Sequence, residues 1–460
     1  MTKRREFIKK GVLGTAGIAI GGIGFSTRSY GSIIGSNDRI NVAVIGLRSR
    51  GSNHIDEWCY LKDSHNVRII SLCDTDEQFF AERAKTVYDK TGTKVTTEWD
   101  MRKILDNPDI HAVSLATPNH WHALGTIWAC QAGKHVYVEK PCCHNIFEGR
   151  KMVEASRKYN VCVQVGFQAR SYKNINDAMK FLHEGGIGNI YMARGLCFKP
   201  RDSFGIVKDS EPPVNLHYDT WLGPAPYRKY NEKRLHYNWH WHWDTGNGDS
   251  GNQGVHEFDM ARWGLNKNEH PVSVNSTGGI YGISPEECSQ ETPNTQTSVF
   301  KYGDGTILEF ETRGRYFNRE GNLGIAIGNF FYGTEGYLEL QAWEKSGGEW
   351  QAFRKRETVP FAGSKMGEGK QIAPTLQGPD SSSHFSNFLE AIRAGKNDML
   401  HADISEGFLS SALPHLGNIS YRLSRELHFM DDKEKFNNDT EADNMLTRNY
   451  RKPFVVADNV

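Results

Sequence analysis

Ile40-Asn41-Val42-Ala43-Val44-Ile45-Gly46-Leu47-Arg48-Ser49-Arg50-Gly51 is an apolar, β-branched run that ends in a glycine-bounded loop. An apolar run of this kind is the composition of a parallel strand buried on both faces. A helical stretch follows, then a second apolar run over residues 67–73, closed by Asp74. Strand, glycine turn, helix, strand and acid, in that order, make a dinucleotide-binding unit. The first glycine turns the chain, the last lets helix and strand pack closely, and a diphosphate sits at the helix N-terminus. Gly46, Arg48, Ser49, Arg50 and Gly51 are therefore expected to hold a nicotinamide dinucleotide. A carboxylate at Asp74 suits the adenosine ribose diol and repels a 2′-phosphate, so the cofactor is expected to be NAD. Arg48 stands where such loops have their second glycine, and its guanidinium is free to meet the diphosphate.

The alternation continues outward. Residues 110–116 form an apolar run that ends in Thr117-Pro118-Asn119-His120-Trp121-His122. Residues 135–138 form another, ending in Glu139-Lys140-Pro141, and residues 161–165 the next. In a doubly wound sheet, ligands bind outside the carboxyl ends of the strands. Thr117, Pro118, Asn119, His122, Glu139, Lys140 and Gln168 fall at such ends and are expected around the cofactor, with His120 turned toward the substrate. The fold class is α/β: a Rossmann domain over residues 38–165, an α+β domain with a mostly antiparallel open sheet over residues 166–425, and a polar tail over residues 426–460.

The glycine loop, Ala116-Thr117-Pro118-Asn119-His120 with His122, the run from Gly133-Lys134-His135 to Glu139-Lys140-Pro141, and Gly254 with His256 together resemble the Gfo/Idh/MocA oxidoreductase family over about residues 38–425. The resemblance implies that Lys140 touches both the nicotinamide ribose and the reacting hydroxyl. It also implies an Asp-x-x-x-His pair whose histidine accepts the proton. Here that pair is Asn252-x-x-x-His256, so the acid is missing, and Asp249 and Asp259 are the candidates to replace it. A lysine desolvated beside a positive ring has a lowered pKa, and a histidine suits proton transfer near neutral pH. His256 is assigned as base and Lys140 as the orienting electrostatic group, both in contact with substrate.

In the second domain, residues 195–231 are rich in Pro and Arg and suggest a surface excursion. Next comes His236-Tyr237-Asn238-Trp239-His240-Trp241-His242-Trp243. Read as an extended segment, alternation puts the tryptophans on one face and His240 and His242 on the other. Trp239, Trp241 and Asn252 are expected at the substrate, because an aromatic face with polar groups nearby suits a sugar; a domain-packing ridge is the alternative. Two histidines at this spacing lack further ligands, so no metal site is expected. Strand-like stretches follow near residues 272–276, 297–302, 306–312, 324–332 and 336–340, two of them joined by Gly303-Asp304-Gly305 as a hairpin. Residues 361–381 suggest a loop. An antiparallel sheet open on one face would make a homodimer or homotetramer surface.

Composition narrows the function classes. The 460 residues carry 55 Lys plus Arg against 55 Asp plus Glu, so no attraction to nucleic acid is built in. The eight cysteines show neither paired CxxC spacing nor disulfide density. At the start, Lys3-Arg4-Arg5-Glu6-Phe7 precedes a weakly apolar stretch over residues 11–25. This resembles a twin-arginine export signal within residues 1–37. It is too short for a stable membrane span, which takes about 20 strongly apolar residues. A periplasmic protein is expected, tethered to the membrane if the signal is kept. Three readings fit: an oxidoreductase acting on a secondary hydroxyl of a sugar or glycoside, with NAD held tightly and recycled; an NAD-dependent glycosidase working by oxidation, elimination and re-reduction; and a non-catalytic sugar-binding protein. The first is the expectation.

Overall fold

Six short runs of β-branched and apolar residues build the first sheet: β1 (Ile40–Ile45), β2 (Val67–Cys73), β3 (Thr96–Glu98), β4 (Ala112–Leu115), β5 (His135–Val138) and β6 (Val163–Val165). In the computed structural model, which describes residues 38–342, 347–364 and 382–460, they pair in the order β3-β2-β1-β4-β5-β6. Every neighbouring pair is parallel. The runs are apolar throughout because both faces are covered. Ala43 and Ile45 enter one core with Val113 and Leu115, while Val42 and Val44 enter another with Ala112 and Tyr137. Strand order reverses between β1 and β4, and the crevice at that switch point is where such sheets bind ligands.

The second sheet has ten strands. They are β7 (Ile190–Phe198), β8 (Ser273–Gly279), β9 (Thr295–Lys301), β10 (Ile307–Arg313), β11 (Ile327–Gly333), β12 (Gly336–Gln341), β13 (Glu349–Arg354), β14 (Ala362–Gly363), β15 (Leu427–Met430) and β16 (Lys435–Phe436). Their order is β14-β13-β12-β11-β7-β10-β9-β8-β15-β16. All pairs are antiparallel except β7 with β10, so the sheet is mixed. The Gly303-Asp304-Gly305 turn does join β9 to β10. Helices Gly254–Gly264 and Ile404–Leu423 pack against this sheet; Phe258 stacks on Phe310 at 4.2 Å between ring centres. Arg194 pairs with Glu309, Glu311 and Glu320 from the sheet and its flanking loop.

Two expectations change. Residues 195–198 are not part of a surface excursion: they finish β7, whose neighbours on both sides bury Leu196, Cys197 and Phe198. The polar residues 426–460 do not form a surface tail. β15 pairs with β8, and Phe429, Phe436, Leu446, Phe454 and Val460 enter the main core. The export signal expected within residues 1–37, and the loop expected over residues 361–381 from residue 365 on, lie outside the described residues. Ile40–Val460 forms one compact unit, across which the two sheets share their largest core. Among the described residues no helix is long and apolar enough to cross a membrane.

Candidate active site

β1 ends at Ile45, and Gly46 turns the chain with φ of 88° while its N–H donates to the Cys73 carbonyl at 2.8 Å. A Cβ there would lie 2.6 Å from the Ala116 carbonyl oxygen, and one at Gly51 would lie 1.8 Å from the Gly46 carbonyl oxygen. Both positions demand glycine because backbone passes where a side chain would start. Ser49, with φ of 47°, swings the chain into the helix Arg50–Tyr60. The result is a cleft of about 230 Å³ at the carboxyl ends of β1, β2, β4 and β5. Gly46, Arg48, Ser49, Arg50, Asp74, Thr117, Pro118, Asn119, His122, Glu139 and Lys140 all border it, and Trp239 and Asn252 face them from the second half.

Behind the cleft floor lies a buried charge network. Glu139 Oε1 accepts from Arg50 Nε at 2.8 Å and Gln168 Nε2 at 3.1 Å, and His54 Nε2 is 3.0 Å away. Burial alone would raise the Glu139 carboxyl, but the Arg50 guanidinium and His54 hold it well below the usual carboxylate range. Gln168 also donates to the Tyr137 hydroxyl at 2.8 Å. It therefore supports Glu139 from behind and does not border the cleft, nor does Gly51. His122 links two strand-end loops, its ring nitrogens 2.7 Å from the Pro141 carbonyl and 2.8 Å from that of Thr117.

Lys140 follows Glu139 at the end of β5. Its Nζ donates to the Asn252 carbonyl at 2.7 Å, across the boundary between the two sheets' territories. Burial lowers its pKa, the Arg50 and Lys199 charges add to this, and Glu139 opposes. His256, in the first turn of Gly254–Gly264, is buried in T-shaped contact with Phe167, 5.8 Å between ring centres, and, unlike Lys140, does not itself border the cleft. Burial, then the Lys140 charge, hold its pKa well below the ordinary 6.5. It is a neutral imidazole at neutral pH and so able to accept a proton. Neither aspartate replaces the missing acid. Asp249 is bidentate to Arg201, at 2.6 and 3.0 Å, and Asp259 is bidentate to Arg170 at 2.8 Å and accepts from Ser410 at 2.6 Å. Each buried carboxylate is matched to a guanidinium, which a buried charge requires.

Three sequence readings are corrected here. The tryptophan segment is not extended: Asn238–Trp241 coils as a 3₁₀ turn, so alternation does not sort its side chains. His240 accordingly borders the cleft beside Trp239, their rings stacked at 3.6 Å, while Trp241 lies off the cleft under the Arg201 guanidinium at 4.7 Å. His120 also lies off the cleft, because its Nε2–H donates to the Trp221 carbonyl at 2.9 Å and burial lowers its pKa to about 3. It docks the helix Asn119–Gln131 onto the second half of the molecule. Residues passed over in the sequence, Asp76, Trp221, His236 and Tyr237, complete the rim; Asp76, two residues past Asp74, was the one a local pattern could have found. Among the described residues no group of three or more His, Cys, Asp or Glu could hold a metal ion.

The cleft fits a nicotinamide dinucleotide. The glycine cradle leaves room for a diphosphate at the start of Arg50–Tyr60. Thr117 Oγ1 is buried in the cleft wall with no hydrogen-bond partner among the described residues, a position that calls for a bound group. Asp74 ends β2 where a ribose diol would sit, anchored by the backbone N–H of Leu47 at 2.7 Å and of Asp76 at 3.0 Å. Burial raises its pKa to about 6, those two N–H bonds opposing. NAD affinity should therefore weaken as pH falls through about 6, where the acceptor takes up a proton. Asp74→Ser should narrow the preference for NAD over NADP; titrating both nucleotides against both proteins checks it, and equal affinity in the unmutated protein would remove the assignment.

Comparison with known proteins agrees with this geometry. A model of the oxidoreductase family NAD-binding Rossmann fold matches residues 40–167, and one of the same family's C-terminal α/β domain matches residues 204–314 and 368–456. The levoglucosan dehydrogenase of Pseudarthrobacter phenanthrenivorans is 42% identical over 61% of this chain and 69% of its own length. A glycosyl hydrolase family 109 protein of Shewanella pealeana is 29% identical, over 34% of this chain and 37% of its own length. Among solved structures, levoglucosan dehydrogenase with NADH and levoglucosan superposes with a TM-score of 0.63 at 21% identity, over 85% of this chain and 99% of that one. The aldose-aldose oxidoreductase of Caulobacter crescentus gives 0.62 at 18% identity, over 85% and 100%. With a glycine cradle, a buried Glu139 and Lys140 beside it over one cleft, and both halves of the chain matched, the protein is a member of the Gfo/Idh/MocA family of NAD-binding oxidoreductases.

Proposed function

We propose that this protein oxidises a secondary hydroxyl of a sugar or glycoside, with NAD held in the cleft and recycled there. When bound, NAD supplies the hydride acceptor. The chain does the rest. Lys140, fixed to the Asn252 carbonyl by one of its N–H donors, has others to orient the reacting hydroxyl and to favour the oxygen as it loses its proton. His256 accepts that proton. Trp239 and the stacked His240 offer an aromatic wall with polar edges to the C–H face of a sugar.

The observation that carries this reading is a half-buried lysine that borders the cleft at the carboxyl end of β5, with a buried histidine, His256, behind the cleft lining, its pKa depressed by burial and then by the lysine's charge. It has a direct pH consequence. Proton acceptance needs neutral His256, and its pKa lies well below 6.5, so turnover should show no histidine limb between about 6 and 8. It should fall only in more acid solution. A turnover profile with a limb centred near 6.5 would remove His256 from the role.

Arg48 supports retention of the cofactor, since it borders the cleft where a glycine would leave only backbone. Export through the twin-arginine route, proposed from residues 1–37, would require such retention. Protein purified without added nucleotide and then denatured should release close to one NAD per chain; release of none would argue for free exchange. The partial match to glycosyl hydrolase family 109 proteins favours a second reading, redox-neutral cleavage of a glycoside. Released aglycone without accumulation of reduced nicotinamide would select it.

A further inference from the structure

The Tyr237 hydroxyl is bonded to the residue that holds Lys140. Its oxygen accepts from Asn252 Nδ2 at 3.4 Å and from Arg201 Nη1 at 3.2 Å, and the Asn252 carbonyl is the acceptor for Lys140 Nζ. Neither donor can reverse its role. A guanidinium has no acceptor, and an amide nitrogen only donates. Arg201 is also fixed in place: its Nη2 and Nε are taken up by the buried Asp249 carboxylate, and its guanidinium lies over the Trp241 ring at 4.7 Å. A hydroxyl oxygen accepts at two positions and carries one proton. With both positions filled, Tyr237 is left with an O–H to donate, and no acceptor for it stands among the described residues.

Tyr237 borders the cleft and is 40% exposed. Its ring lies 4.7 Å from that of His240, which stacks in turn on Trp239, so the phenol continues the aromatic wall and puts a polar tip at its edge. The acceptor for that O–H has to come from a ligand in the cleft. A sugar whose C–H face lies on this wall offers hydroxyl oxygens around its rim. Lys140 and Tyr237 then reach two of them, and Asn252 sets their spacing, its carbonyl holding the first donor and its amide the second. The amide decides the polarity. A carboxylate at residue 252 would accept the Tyr237 O–H, and the cleft would lose the donor.

We propose that Tyr237 is a substrate-binding residue that donates its O–H to a second hydroxyl of the sugar whose reacting hydroxyl meets Lys140. This rests on the sugar-oxidising reading above and adds a requirement: the substrate carries a further hydroxyl at a fixed place relative to the carbon oxidised. The test uses the full chain holding NADH, which lets a sugar bind without being oxidised. It is titrated calorimetrically with glucose, galactose, mannose, xylose and cellobiose, and then with the single-deoxy analogues of whichever binds most tightly. Tyr237→Phe keeps the ring and removes the O–H; Asn252→Asp keeps the O–H but supplies a carboxylate that takes it from the cleft. Tyr237→Phe should weaken the parent sugar about tenfold and leave the affinity of one single-deoxy analogue, the one lacking the contacted hydroxyl, unchanged. Asn252→Asp should likewise cost the parent sugar more than that analogue. Thermal unfolding identifies a variant that fails to fold, and the other then decides. A tyrosine that only braced Asn252 and Lys140 would, when changed, weaken parent and analogues alike. That pattern, undiminished affinity in Tyr237→Phe, or no binding by any of the five sugars overturns the proposal. The reading of the reaction fails separately, on a sugar that binds through Tyr237 yet leaves NAD unreduced in the NAD-loaded protein.

Discussion

Lys140→Ala should lower turnover by about two to three orders of magnitude, the usual range for losing a donor that stabilises a developing oxyanion, while NAD remains bound. The separation follows from the structure. The groups expected around the diphosphate and the adenosine ribose are Gly46, Arg48 and Asp74, and none of them depends on Lys140 for its position. A second readout distinguishes chemistry from mere loss of packing. The Lys140 charge contributes to the depression of the His256 pKa, so residual activity in the variant should have its acid limb at higher pH than the unmutated protein. A variant with near-normal turnover, or an acid limb that did not move, would show that Lys140 does not act on the reacting centre.

Gly51→Ala should abolish tight NAD binding and destabilise the Rossmann half. The new Cβ would lie 1.8 Å from the Gly46 carbonyl oxygen. Neither atom is the end of a flexible side chain, so the loop itself must move. Overpacking of this kind costs about 1–3 kcal/mol, and the displaced loop is the one that forms the diphosphate cradle. Equilibrium unfolding and nucleotide titration measure the two effects separately. Gly92→Ala makes a useful control: it has no neighbour within 4 Å but adopts φ of 69°, so it should cost stability through backbone strain alone and leave NAD affinity unchanged.

The first half was legible because its information is local. A β-branched run, a glycine, a helix and an acid lie within one βαβ unit, and the right-handed crossover leaves little choice of arrangement. The same rule brought Asp74, Thr117, Glu139 and Lys140 to one cleft from strand ends alone. What was misread depends on long-range partners. His236 to Trp243 alternates aromatic and polar residues, yet a period of two over so few residues does not separate a strand from a 3₁₀ turn. His120 looked like a substrate contact until its partner proved to be the Trp221 carbonyl, about 100 positions away. Asp249 and Asp259 were open candidates because only the folded chain reveals Arg201 and Arg170 as their partners. Residues 426–460 are polar in composition, and the few apolar side chains that enter the core do so through partners far earlier in the chain: β15 pairs with β8, and Phe454 packs on Trp121 and Trp128.

In the proposed reaction Lys140 orients the sugar hydroxyl and His256 takes its proton as NAD accepts the hydride. The most direct measurement is reduced-nicotinamide absorbance on mixing purified, NAD-loaded protein with a series of sugars and glycosides, run in parallel with Lys140→Ala and His256→Ala. The structure predicts substrate-dependent reduction, approaching one equivalent per chain when no second acceptor is present, and its near-loss in both variants with NAD still bound. Absence of reduction with every sugar in the unmutated protein, or equal reduction in the variants, would contradict it.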